Sequence, residues 1–292
     1  RMFRWPKKKR IKEELNQNIQ LFEKSTSISK NLQINLQAVR RQIGHSSDVV
    51  IRSFQIENSK LEAAVVYIDG LADEQVINDQ ILKPVLLELR KIGDVRGEKA
   101  LRDELKRAMT TLSKIKTAQQ IESCISHILS GGTVFFVDSS DEALLLSTPG
   151  WETRVPSEPT SEPYIRGARE GFVETLTDNI VLLRRRIRDP DFTVDIYKVG
   201  RRSKTDIAVA YIRGLANQEL VDEVKRRIEQ IDIDMIQETG YIEQLIEDNF
   251  LSPFPQVLAT ERPDKVAGIL MEGFVAVLVD NTPFVLIVPA TL

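Results

Sequence analysis

The feature that constrains this chain most is an internal repeat. Residues 64–72, Ala-Val-Val-Tyr-Ile-Asp-Gly-Leu-Ala, recur at 208–216 as Ala-Val-Ala-Tyr-Ile-Arg-Gly-Leu-Ala, identical at seven of nine positions at an offset of 144. Near an offset of 142, Val134–Asp138 matches Ala276–Asp280, each followed by a further apolar run, Ala143–Leu146 and Val285–Val288. A third, weaker pair sets Asp48–Phe54 against Asp191–Tyr197. Three pairs in one order at nearly one offset predict two homologous lobes.

Each lobe reads alike. An alternating strand (Val49–Gln55; Thr193–Lys198) precedes a buried apolar strand (Ala63–Ile68; Ile207–Ile212). That strand ends in a turn at Gly70 or Gly214, where a positive φ costs nothing. Asp73 or Asn217 then caps a helix: Glu74–Ile92, bent or restarted at Pro84, and Gln218–Gln230. Ile231–Ile236 reads as a short parallel strand. More helices follow (Glu98–Met109 and Ala118–Leu129; Tyr241–Glu247 and Asp264–Met271), then two closing strands. The expected fold class is α/β: two homologous α/β lobes with mixed sheets, preceded by N-terminal helices over Ile11–Lys24 and Ser27–Ile43.

The domain reading is a basic extension and helix over 1–30, a first lobe over 31–148, a Pro-rich linker with a connecting helix over 149–188, and a second lobe over 189–292. Five Gly and Pro residues between Pro149 and Pro163 disfavour regular structure. The connecting helix runs from about Phe172 to Arg188, with Phe172, Leu176, Ile180, Leu183 and Ile187 forming one apolar stripe. At 100° per residue Arg184 and Arg186 fall on opposite flanks of that stripe, Arg185 points away, and Asn179 lies near it on the Arg186 side.

Charge is uneven. Of 40 basic residues seven lie in the first twelve, which hold no acid, so the remainder carries 33 basic against 43 acidic side chains. An acidic body repels phosphate backbones, and no nucleic-acid partner is expected. The basic tip, with Phe3 and Trp5, suits an anionic membrane surface at about 1 kcal/mol per basic residue; the other reading is a solvated terminus. Arg1 ahead of Met2 reads as a remnant of cloning, and the apolar end Phe284–Leu292 reads as a cut in a longer protein. No run of 18 apolar residues is present. With one cysteine and two histidines there is neither a disulfide nor a Cys/His zinc set, and no metal or cofactor is expected. Cys124 falls among Ile121, Ile125 and Ile128 at helical spacing, as a buried, inert thiol does. His127 reads as a helix-end residue and His45 as a loop residue.

No phosphate loop, dinucleotide fingerprint, nucleophile elbow or zinc-protease motif occurs, so no enzyme is expected. The sharpest cluster is Arg184-Arg185-Arg186, joined by Arg169, Glu170 and Asn179 as candidate ligand- or partner-binding residues. Guanidinium forks suit carboxylate and phosphate. The competing reading is pairing within the chain, with the acidic lobes.

Several long segments resemble one family. They are Tyr164-Ile-Arg-Gly-Ala-Arg-Glu-Gly-Phe172, Leu176-Thr-Asp-Asn179-Ile180, Leu183-Arg-Arg-Arg-Ile187, Gly240–Asp248, Ser252–Gln256, Thr260–Asp264 and Asp280–Phe284. Together they resemble the GerA-type spore germination proteins, the A subunits of nutrient germinant receptors, from about Leu36 to the last residue. Ala168, where the family pattern has proline, and Phe274, where it has arginine, depart from it. The resemblance implies a large N-terminal region followed by membrane helices absent here, facing the spore core from the inner membrane. It also implies B and C partner subunits, a response to small nutrients, and no enzymatic activity. Two functions then compete: signalling and assembly through protein contacts, or direct binding of an amino acid, sugar or ion in an interlobe cleft that closes on a hinge.

Overall fold

A computed structural model of the chain describes residues 26–56, 61–88, 98–109, 112, 114–150, 170–236, 238–246 and 257–290. The basic tip, the expected helix Ile11–Lys24, most of the Pro-rich segment and Arg169 lie outside these residues.

The first half begins with helix α1 (Leu32–Gln42), capped by the Asn31 side chain on the N–H groups of Gln33 and Ile34. Strands β1 (Val49–Ile56) and β2 (Leu61–Ile68) form a hairpin. A helical stretch follows as α2 (Glu74–Val76), a π-helical turn (Ile77–Leu82) and α3 (Lys83–Glu88). Then come α4 (Glu98–Ala108), β3 (Ile115–Ala118), α5 (Ile121–Leu129), β4 (Thr133–Val137) and β5 (Ala143–Leu146). The second half repeats the plan: α6 (Leu176–Arg186), β6 (Phe192–Val199), β7 (Thr205–Ile212), α7 (Gln218–Glu229), α8 (Thr239–Ile246), β8 (Leu258–Thr260), α9 (Pro263–Leu270), β9 (Val275–Val279) and β10 (Val285–Val288).

The two five-stranded sheets have equivalent orders, β1-β2-β4-β5-β3 and β6-β7-β9-β10-β8. The two α/β lobes are therefore as expected, with one correction. Every strand pair among the described residues is antiparallel, so the sheets are not mixed. The segment Ile231–Ile236 lies outside the sheet. Its Ile233 and Asp234 carbonyls accept from Arg201, Arg202 and Ser203 at the tip of the β6–β7 hairpin (2.9, 2.9 and 3.1 Å).

Both faces of each sheet are covered, which is why β2 and β7 read as continuous apolar runs rather than alternating ones. In the first lobe Ala64, Val66 and Ile68 pack with Leu36, Val39, Ile121 and Ile128, while Ala63, Val65 and Tyr67 pack with Ile77, Ile81, Val85 and Leu105. In the second, Ala208, Ala210 and Ile212 meet Ile180, Leu183, Val266 and Leu270, and Ile207, Val209 and Tyr211 meet Val221, Val224, Ile228 and Ile242. Asp73 and Asn217 cap their helices as expected. The break expected at Pro84 is a change of register one residue earlier. Lys83 N–H bonds to Asn78 O, five residues back, and the wider turn absorbs the missing proline donor.

Helix α6 is the second lobe's copy of α1. Both have 11 residues, and they start 144 positions apart. Each is anchored by a carboxylate at its first turn: Leu32 N–H donates to Asp138 Oδ1 and Leu176 N–H to Asp280 Oδ1, both at 3.0 Å. Each also carries a buried asparagine that clips the chain entering it. Asn35 bonds the N–H and carbonyl of Ser29 (2.7 and 2.6 Å), and Asn179 bonds those of Val173 (2.8 and 2.6 Å).

Candidate functional site at the seam between the lobes

The helical period puts Arg184 beside the apolar stripe of α6, and the fold turns that flank toward the first lobe. Arg184 is 1% exposed. Its Nε and Nη2 donate to Asp48 Oδ2 and Oδ1, both at 2.7 Å. Nη2 also donates to Ser46 Oγ (2.8 Å) and Nη1 to the Phe192 carbonyl (3.0 Å). The guanidinium lies 4.6 Å from the centre of the Phe192 ring. Ser46 Oγ donates in turn to Asp48 Oδ1 (2.6 Å). A planar fork meets a planar carboxylate on two parallel bonds, the geometry lysine cannot supply. Of the two readings of the arginine run, Arg184 follows the one within the chain.

Apolar packing and main-chain bonds close the seam around it. Val181, on the next turn of α6, belongs to the first lobe's core, whereas Leu176, Ile180, Leu183 and Ile187 belong to the second's. Gly70 has a φ of +71°, and a Cβ there would lie 2.6 Å from Thr177 Cγ2 and 3.0 Å from Val181 Cγ2. Glycine therefore serves both the turn and the close approach; Gly214, with φ +75°, makes the matching turn in the second lobe. Ser47 N–H donates to Val194 O (2.8 Å), and Val194 N–H to Ser46 Oγ (2.9 Å). Helix α6 thus contributes side chains to both cores, with a buried ion pair beside it.

The other candidates sit apart from this centre. Glu170 bridges Arg185 Nη1 (2.9 Å) and Arg186 Nη2 (2.6 Å) on the outer side of α6. Asn179 is occupied by Val173, as above. Gly70 joins the seam, while Asp48, Ser46, Phe192 and Val181 were not singled out from the sequence. His45 is half-buried at the seam with neither ring nitrogen hydrogen-bonded. Burial first, then the charges of Arg213 and Arg184, lower its pKa to about 4, against opposing pulls from Asp195 and the nearby Pro190 backbone. On the far face of the second sheet, Lys225 pairs with Asp195 (2.6 Å) and donates to Tyr211 (3.1 Å). Burial pushes the Cys124 thiol up to about 12, so it carries almost no thiolate. Among the described residues no group of acids, histidines and cysteine is placed to hold a metal ion, and no helix is long and apolar enough to cross a membrane.

The seam occurs in a chain whose residues 37–292 match the family model described as Bacillus/Clostridium GerA spore germination protein. The chain belongs to the GerA spore germination family. It is 40% identical over 269 residues to spore germination protein KA of Bacillus subtilis, covering 92% of this chain and 48% of that protein. It is 37% identical over 266 residues to spore germination protein B1 of the same organism, covering 90% and 53%. The crystal structure of the N-terminal domain of the A subunit of the Bacillus megaterium spore germinant receptor GerK3 superposes with a TM-score of 0.72. That match has 36% identity and covers 92% of this chain and 99% of that one. This GerA chain spans about half the length of the curated relatives it matches.

Proposed function

We propose that this chain is the N-terminal region of a germinant receptor A subunit, and that it acts in spore germination as a rigid coupling and assembly element. In this reading it lies on the core side of the spore inner membrane, contacts B and C subunits, and passes on a nutrient signal without catalysing a reaction. The observation that carries it is the Arg184 fork. A hinge that closes on a ligand needs an open seam, and this one is filled by a buried ion pair and a helix common to two cores. The basic N-terminal tip is a further proposed contact, with the anionic membrane surface.

Thermal unfolding of the chain against amino acids, sugars and inorganic ions tests the reading. A ligand at 100 times its Kd adds about 2.7 kcal/mol if it binds only the folded state, a shift of several degrees. Coupling without direct sensing predicts no selective shift at millimolar concentrations.

A second reading is direct binding of a small molecule. What favours it is an open groove of about 320 Å³ in the second lobe, lined by Tyr197, Lys198, Gly200, Arg201, Ile228, Glu229 and Ile231 among others. That volume is at the lower end for a small-molecule site. A selective thermal shift abolished by Tyr197→Ala supports this reading over the first.

A further inference from the structure

Among the described residues the outer edge of β6 is open beyond the seam. Arg213 N–H donates to Asp191 O across the start of the β6–β7 pair (3.0 Å). By alternation the main-chain groups of Thr193, Asp195 and Tyr197 face β7, and those of Val194, Ile196 and Lys198 face outward. The outward groups nearest the first lobe are taken by Ser46 and Ser47; the last of these contacts runs from Ile196 N–H to Ser47 Oγ, at 3.3 Å. Further along, the Ile196 carbonyl and both main-chain groups of Lys198 have no partner among the described residues. The Ile196 side chain beside them is 41% exposed.

We propose that this edge receives an extended segment of another polypeptide, lying along β6 beyond the contacts that Ser46 and Ser47 make. Main-chain hydrogen bonds supply affinity in such strand addition, and alternate side chains supply selectivity. The segment's chemistry follows from the edge: an apolar residue over Ile196 and an acidic one beside Lys198. The Lys198–Asp206 pair is at the surface and is exchanged at little cost. The corresponding edge of the first lobe lacks this combination, since Ile51 is half-buried and Ser53 and Gln55 are polar.

A second copy of the chain fits poorly. Antiparallel pairing that sets Ile196 opposite Lys198 sets Val194 opposite Gly200. The second copy's turn, Gly200–Lys204, then runs into the place held by Ser46 and Ser47.

The inference rests on the assembly role proposed above, and hydrogen–deuterium exchange on the isolated chain and on the full-length protein assembled with its B and C subunits separates the two. The Lys198 amide is expected to exchange at least about tenfold more slowly in the assembly. Lys198→Pro removes an outward N–H that no described residue accepts; it is expected to reduce recovery of the subunits with the thermal midpoint unchanged. Ile196→Asp, which keeps every main-chain donor, provides the same test should the proline unfold the strand. Equal exchange of Lys198 in both states overturns the proposal. So does protection that appears in the isolated chain together with a dimer mass, which assigns the edge to a second copy. Failure of the wild-type chain to assemble at all overturns the assembly role and this inference with it.

Discussion

Arg184 and Asp48 lie 136 positions apart in the chain, yet they share two hydrogen bonds of 2.7 Å in a setting almost closed to water. Removing one partner of such a pair strands the other charge in a poor solvent. Arg184→Ala is therefore expected to destabilise the chain by about 3–5 kcal/mol, and Arg184→Lys to recover only part of that. Replacing both partners costs less than the two single changes added together. Urea titrations of the four proteins measure this coupling.

Gly70 carries two costs that can be separated. Gly70→Ala strains a φ of +71° and presses a methyl against Thr177 Cγ2, for an expected loss above about 1 kcal/mol. Thr177→Ser deletes that γ-methyl. Combined with Gly70→Ala it should relieve the closer of the two contacts and leave the Val181 contact and the backbone part. Midpoints of thermal unfolding for the single and double variants check this.

His45 makes the seam sensitive to acid. Its pKa is near 6.5 unfolded and about 4 folded. Between those values the unfolded chain binds the proton and the folded chain does not. The stability it confers is full above pH 6.5 and is lost progressively as pH falls toward 4. His45→Gln should flatten this part of the stability–pH profile. An unchanged slope assigns the acid sensitivity to other groups.

Cys124 is predicted to stay unmodified by a thiol reagent at pH 8 in the native chain, because its thiol is buried and its pKa is about 12. Labelling should appear only with unfolding. Rapid native labelling contradicts the packing of α5 on the first sheet.

Glu170→Gln loses the bridge between Arg185 and Arg186. The groups are partly exposed, so the cost in stability is expected below about 1 kcal/mol. Normal germination with this variant would show that the bridge is dispensable.

The lobes were legible in the sequence because β2 and β7 are buried on both faces, and their apolar runs survive duplication almost intact. The short edge strands β3 and β8 were not. They include Lys116, Thr117 and Thr260 and are made strands by their neighbours β5 and β10 rather than by their own pattern. The connecting helix read as a separate linker because the repeat was traced through strands. The same offset of 144 aligns Leu32 with Leu176, Asn35 with Asn179 and Arg40 with Arg184, and it exposes α6 as a copy of α1. It does not say which arginine is buried: Arg40 is exposed, whereas Arg184 faces Asp48. Helical periodicity assigns a side to a residue, and only the placement of the other lobe decides what that side meets.

The central claim is that the two lobes behave as one body through Arg184 and α6. Differential scanning calorimetry of the wild-type chain and of Arg184→Ala tests it most directly. One cooperative transition in the wild type, with calorimetric and van't Hoff enthalpies in agreement, that splits or broadens into two in the variant is the predicted result. Two independent transitions in the wild type, or a single unshifted transition in Arg184→Ala, would contradict it.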